Sequence, residues 1–164
     1  MAFVLGTDIS KWEDAPSTPK KIDFNKMRLS GAEFVIFKAT QGSSTVDRVF
    51  QISWDDAANL IRGAYHFLDW TVDSDKQAEY YCKKIKDKKL DFPPIVDFEC
   101  RTDAPAQSVA TSELWSFVTY IENRTGRVPI IYTSPSYWAE FGSKAAVWKK
   151  YPLWWPTSGR WKTA

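Results

Sequence analysis

The stretch Phe34-Val35-Ile36-Phe37 contains no polar residue. A strand with one face in water alternates apolar and polar side chains, so an unbroken apolar run of this length reads as a strand covered on both faces. Pro129-Ile130-Ile131-Tyr132 repeats the pattern. Working outward, apolar and β-rich segments begin near Phe3, Phe34, Ala64, Pro94, Val128 and Pro152. Their spacing is about thirty residues, the size of a βαβ unit. Between them lie helix signals. Ser74 followed by Gln77 fits a capping box for a helix carrying Ala78, Tyr81 and Ile85. Leu114, Phe117, Val118 and Ile121 share one face at i, i+3, i+4 and i+7. Gly31, Gly63 and Gly126 each stand just before a strand, where a left-handed helix cap is expected. The alternation predicts an α/β fold, a parallel sheet wrapped by helices in the manner of a TIM-like (β/α) barrel.

Six such strands can be counted, whereas a complete eight-stranded barrel needs at least about 200 residues. The 164-residue chain is therefore expected to form one domain over 1–164, an irregular barrel lacking its last strands. After Trp154-Trp155-Pro156 the sequence becomes a short polar tail with no seventh strand. Missing strands leave sheet edges and apolar surface uncovered, which invites self-association.

Twenty-two Lys and Arg against twenty Asp and Glu leave a formal charge of +2, too little to make nucleic acid the main partner. Nor does any apolar run approach the roughly 18 residues of a membrane span, and Met1 to Gly6 lacks the basic start and long apolar stretch of a signal peptide. The basic run Lys83 to Lys89 reads as the solvated face of a helix. Cys82 and Cys100 lack metal-ligand spacing and read as free thiols. Nine Trp, seven Tyr and ten Phe make 16% of the chain aromatic; most must be core, with some left over as platforms for sugar rings.

In parallel α/β folds the chemistry sits at the carboxyl ends of the strands. Those ends carry Asp8 and Ser10, then Lys38, Thr40 and Gln41, then His66 and Asp69, then Asp97 and Glu99, then Thr133 and Ser134. Asp97 and Glu99 are two apart, which in a strand puts both on one face with alpha carbons about 6.5 Å apart. Two carboxylates in a partly dry cleft cannot both ionise freely, so one keeps a proton near neutral pH and can act as a general acid, as cleavage of a glycosidic bond requires. Asp8 adds a third acid if the first strand ends near the fourth. A carboxylate metal cluster and idle strand-end acids are the competing readings, and the His and Cys ligands of a transition-metal site are missing. His66, the single histidine, lies between Tyr65 and Phe67, which favours a structural role over a catalytic one. No Gly-x-Ser-x-Gly elbow or phosphate-cradling loop occurs.

Four segments together resemble the lysozymes of glycoside hydrolase family 25, found in phage endolysins and bacterial autolysins: Gly6-Thr7-Asp8-Ile9-Ser10, Phe34 through Gly42, Gly63-Ala64-Tyr65-His66-Phe67 and Pro94-Ile95-Val96-Asp97-Phe98-Glu99. Pro129-Ile130-Ile131-Tyr132-Thr133 and Pro152-Leu153-Trp154 look like the fifth and sixth strands. The resemblance implies an N-acetylmuramidase that cleaves the β-1,4 bond between N-acetylmuramic acid and N-acetylglucosamine in peptidoglycan, without cofactor or metal. Glu99 would be the general acid, with Asp97 and Asp8 as supporting acids. Two mechanisms stay open: a carboxylate forms a covalent sugar intermediate, or, as in the substrate-assisted hexosaminidases whose Asp-x-Glu arrangement is similar, the sugar's acetamido group is the nucleophile and Asp97 would orient it. Pro156 stands where the family usually has alanine, and the family's Trp-Gln-Tyr strand and eighth-strand acid have no counterpart, so the chain reads as a catalytic domain truncated at its C-terminus. It would be made in the cytoplasm and released to the wall by lysis or another route. Tyr65, Tyr132 and Trp154, at or near strand ends, are the candidates for lining the cleft. Two rival readings remain, a non-catalytic glycan-binding fragment and a hydrolase of another amino sugar polymer such as chitin.

Overall fold

A computed structural model describes residues 4–13 and 22–156; the polar tail expected after Pro156 lies outside them. Six strands form one parallel sheet in the order β1 (Leu5–Ile9), β2 (Ala32–Gln41), β4 (Ile61–Phe67), β5 (Ile95–Asp97), β6 (Ile130–Tyr132) and β7 (Leu153–Trp154). These are the six strands the sequence predicts. A seventh, β3 (Thr45–Val46), pairs antiparallel with the end of β2. It is too short to carry a hydrophobic pattern, and nothing in the sequence announces it. The sheet curls into a half-barrel, with the helices on its convex side. A full TIM barrel is not what the described residues form: β1 and β7 end the sheet without pairing to each other.

The helices are α1 (Phe24–Leu29), α2 (Arg48–Ser53), α3 (Ser74–Ile85), α4 (Gln107–Thr125) and α5 (Pro135–Phe141). On α4, Ala110, Leu114, Phe117, Val118 and Ile121 are all fully buried. They pack with α3 against Val35, Phe37, Ala39, Ala64 and Val96 of the sheet. Side chains alternate across a strand, so the intervening residues Ile36, Lys38, Tyr65, Ile95 and Asp97 face the hollow of the curl. Tyr81 of α3 reaches into the sheet: its hydroxyl donates to the Ala64 carbonyl at 2.7 Å and accepts from the Ile95 amide at 3.3 Å. Trp54 and three phenylalanines, Phe24, Phe37 and Phe50, form one buried ring cluster.

Two details of punctuation differ from expectation. The cap of α3 is Asp73, whose carboxylate accepts from the Lys76 amide, so Ser74 is the first helical residue. Gln77 is thereby free for another task, described below. Gly31 and Gly126 do take positive φ, 96° and 68°, as helix ends demand. Gly63, however, lies inside β4, where a Cβ would stand 3.1 Å from Phe92 and 3.2 Å from Ile36. It permits close packing and does not end a helix.

Candidate active site

At the carboxyl ends of the strands a cavity of about 90 Å³ is lined by Asp8, Tyr65, Ile95, Asp97, Glu99, Tyr132 and Trp154. All six residues singled out from the sequence are therefore brought together. Register explains how: Phe67, Asp97, Tyr132 and Trp154 are cross-strand partners in one row over β4 to β7, so they share a level and, by alternation, a face. Asp8 projects from β1 on the far side of the curl. A cavity this small admits a small substituent and not a whole ring.

The carboxylates sit at different depths. Asp97 is 6% exposed, while Glu99, just beyond the end of β5, and Asp8 are open to solvent. Burial drives the Asp97 carboxyl well above its ordinary range, helped by the negative charges of Glu99 and Asp8 and opposed by Lys38. Glu99 is also raised, by partial desolvation and by Asp8. Asp8 is raised by the surrounding protein mass and by Glu13, against a backbone hydrogen bond that lowers it. Burial thus favours the protonated form of Asp97, which lies deeper than the acid the sequence pattern nominates. The Oδ1 atom of Asp97 is buried without a hydrogen-bond partner. Buried polar atoms are rarely left so, and the residue that carries this one lines the cavity.

Lys38, noted in the sequence as a strand-end residue but given no role, is the missing member of this set. It is 9% exposed, its ammonium lies 4.6 Å from the centre of the Phe67 ring, and it donates to Gln41 Oε1 at 2.8 Å. Burial lowers its pKa while Asp97 and Asp47 raise it. A lone lysine in an apolar strand carries no motif, which is why reading the sequence gave it no task. Two aromatics also act from behind: Trp70 Nε1 and Tyr137 Oη both donate to the Cys100 carbonyl at 2.7 Å. They pin the segment that follows Glu99. The Tyr132 and Trp154 rings meet edge to face at 5.1 Å, and burial plus the three acids push the Tyr132 hydroxyl up to about 12.

His66 has a structural place. It is fully buried, with Nδ1 2.7 Å from Thr40 Oγ1 and Nε2 3.0 Å from Gln77 Oε1, and it stacks on Phe117 at 4.9 Å. A register shift between Lys38 and Thr40 sets Thr40 opposite His66. The Gln77 amide also donates to the Asp69 and Val72 carbonyls, holding the loop after β4. Cys82 and Cys100 are free thiols. Among the described residues no three His, Cys, Asp or Glu side chains converge closely enough to hold a metal ion.

The chain as a whole has counterparts among known proteins. The family model of glycosyl hydrolases family 25 matches residues 7–158. The chain belongs to family 25. Its similarity to the uncharacterised protein YegX of Escherichia coli is 31% identity over 158 residues, covering 92% of this chain and 55% of that protein. It is also 31% identical over 150 residues to the N,O-diacetylmuramidase of Chalaropsis, covering 83% of this chain and 68% of that enzyme. Among solved structures, the muramidase from Acremonium alcalophilum superposes with a TM-score of 0.77 at 30% identity, over 91% of this chain and 74% of that one. This family 25 chain spans about half the length of YegX, 55%. The match from residue 7 to 158 takes in every strand that contributes to the acid cavity.

Proposed function

We propose that this chain hydrolyses peptidoglycan as an N-acetylmuramidase, cleaving the β-1,4 bond between N-acetylmuramic acid and N-acetylglucosamine with retention of configuration. The half-barrel is then the catalytic part of a (β/α) barrel, and its place of action is the cell wall. The observation that carries the reading is one cavity lined by Asp8, Asp97 and Glu99 with Tyr65, Tyr132 and Trp154: acids for the bond and aromatic surfaces for the sugar.

Glu99, at the open side of the cavity, protonates the leaving oxygen as the C1–O bond breaks. The carbonyl oxygen of the sugar's own acetamido group attacks C1 and closes an oxazolinium ring. The acetamido N–H donates to the Asp97 carboxylate, which lines the cavity and has an unpartnered oxygen. That hydrogen bond favours ionised Asp97, so the proton held by the acid cluster passes to Glu99, which Asp8 keeps protonated. Glu99, now a carboxylate, then removes a proton from water as the water attacks C1 and reopens the ring. Two inversions give net retention. Tyr65, Tyr132 and Trp154 provide faces and hydroxyls against which the sugars lie.

A turbidity assay on bacterial walls, followed by mass analysis of the fragments, tests the reading. Clearing is expected, with N-acetylmuramic acid at the new reducing end and a loss of about a hundredfold or more in Glu99→Gln. Clearing by Glu99→Gln at the wild-type rate overturns the assignment. Wall binding without new reducing ends points to a glycan-binding module, and faster cleavage of chitin to a different polymer.

A further inference from the structure

At the opposite end of the strands from the acids lies a second cleft, of about 770 Å³. Its walls are the last turn of α3, the turn after it, the last turn of α4 and the segment entering β6. Six cations line it, Lys83, Lys86, Lys88, Lys89, Arg124 and Arg127, with Glu79 the one acid. The whole chain carries only +2, so the remainder, including the catalytic face, is net negative. The small total conceals a strongly divided surface.

A bland explanation is that the lysines offset the negative ends of two helices. Each helix terminus is equivalent to about half a charge, so two account for about one of the five excess positive charges. Neutralisation within the cleft is also slight. Lys86 pairs with its neighbour Asp87 at 3.7 Å in an exposed contact, and among the described residues Lys83, Lys88, Lys89 and Arg124 have no ion pair. Arg127 is held rigid by the Leu90 and Asp91 carbonyls at 2.9 and 3.1 Å. Between the cations the floor is apolar, made of Ile85, Leu90, Pro94 and Tyr120.

We propose that this cleft binds a polyol phosphodiester chain, an anionic polymer of the cell wall, and so anchors the protein with its catalytic face free. The cations recognise the repeated phosphates, and the apolar floor accepts the carbon-bound hydrogens between them. An inorganic polyphosphate offers the charge without those hydrogens. A membrane surface is flat and would engage a face, whereas these groups line a recess. The choice of a wall polymer rests on the wall hydrolase reading, but the binding site itself does not.

The probe is soluble poly(glycerol phosphate), titrated into the full chain at several salt concentrations. Contacts from four lysines give a slope of log K on log salt of about −2 to −3, or a loss of about thirtyfold from 50 to 200 mM salt. The variant Lys83→Gln/Lys86→Gln/Lys88→Gln/Lys89→Gln is expected to bind at least tenfold more weakly at low salt. A charge-matched control, Lys26→Gln/Lys76→Gln/Lys144→Gln/Lys149→Gln, removes exposed cations elsewhere and is expected to stay within threefold of the wild type. Thermal melts check that both variants fold. Equal losses in the two variants, or no binding by the wild type, overturn the site. Tighter binding of inorganic polyphosphate or of poly-glutamate overturns the polyol phosphodiester, and tighter binding of anionic phospholipid vesicles overturns the polymer. Cleavage of polymer-free glycan is measured separately, so loss of anchoring and failure of the hydrolase reading are told apart.

Discussion

Replacing Asp97 with asparagine should stabilise the fold while it destroys activity. The Asp97 carboxyl is buried, is raised well above its ordinary 3.8, and faces the charges of Glu99 and Asp8. An acid whose pKa is higher in the folded chain than in the unfolded one binds more protons when folded, so stability falls as pH rises from the unfolded value through the folded one. Asparagine keeps the shape and cannot ionise. At pH 4, with Asp97 protonated in the folded chain, the two proteins should melt within a degree or two of each other. Toward pH 8 the wild type bears the cost of a buried, poorly satisfied anion, on the order of 1–3 kcal/mol. With about 2–4 °C of melting temperature per kcal/mol in a chain of this size, Asp97→Asn should melt several degrees higher there. The same variant cannot accept the acetamido N–H with a full negative charge and should clear walls at least about a hundredfold more slowly. Melting curves at half-unit intervals between pH 4 and 8 decide the matter. A difference that does not grow with pH, or a wild type more stable at pH 8, would show that Asp97 is ionised and satisfied in the free site and would refute the account of proton placement.

Three further outcomes follow from neighbouring groups. Lys38→Met removes the one cation that lowers the Asp97 pKa, so the acidic limb of the pH–activity profile should move to higher pH; an unmoved limb would separate Lys38 from the acids. Burial holds the His66 pKa down at about 4 against an ordinary 6.5, so its neutral form contributes stability that is complete above pH 6.5 and is lost as pH falls toward 4, roughly 3 kcal/mol in all. Chemical denaturation of wild type and His66→Gln between pH 4 and 7.5 should reveal this as a pH-dependent difference. Gly126→Ala, at a φ of 68°, should lose about 1 kcal/mol by urea titration and leave wall clearing unchanged.

Much of this molecule is legible in its sequence because both faces of central strands such as β2 and β5 are covered. Val35 and Phe37 pack on helices while Ile36 and Lys38 face the hollow, so the run stays apolar and marks the strand. The same property hides detail. With both faces apolar, nothing in Phe34 through Phe37 says which side curls inward, and so nothing says that Lys38 lies within electrostatic reach of Asp97. Gly63 misleads for a related reason: a glycine before an apolar run resembles a helix cap, and only the approach of Phe92 and Ile36 to the missing Cβ reveals its purpose. Ser74 with Gln77 has the spacing of a capping box, yet Asp73 one residue earlier is the stronger acceptor, and it takes the role.

The carboxylate pair marks where sequence pattern stops and geometry begins. In the sequence Asp97 and Glu99 are two equal acids on alternate positions. In the fold β5 ends at Asp97, so Asp97 stays among its cross-strand neighbours Phe67 and Tyr132. Glu99 emerges into solvent, with Phe98 turned into the core and the Cys100 carbonyl tethered by Trp70 and Tyr137. Depth alone makes them different acids. Burial favours the neutral form of the deeper one, while the exposed one is placed to meet a leaving oxygen. In the proposed mechanism, a substrate that donates a hydrogen bond to Asp97 would favour its ionised form at the moment of binding, which would couple recognition of an N-acetylated sugar to the arming of Glu99. A polymer without the acetamido N–H would leave the proton on Asp97 and the bond uncut.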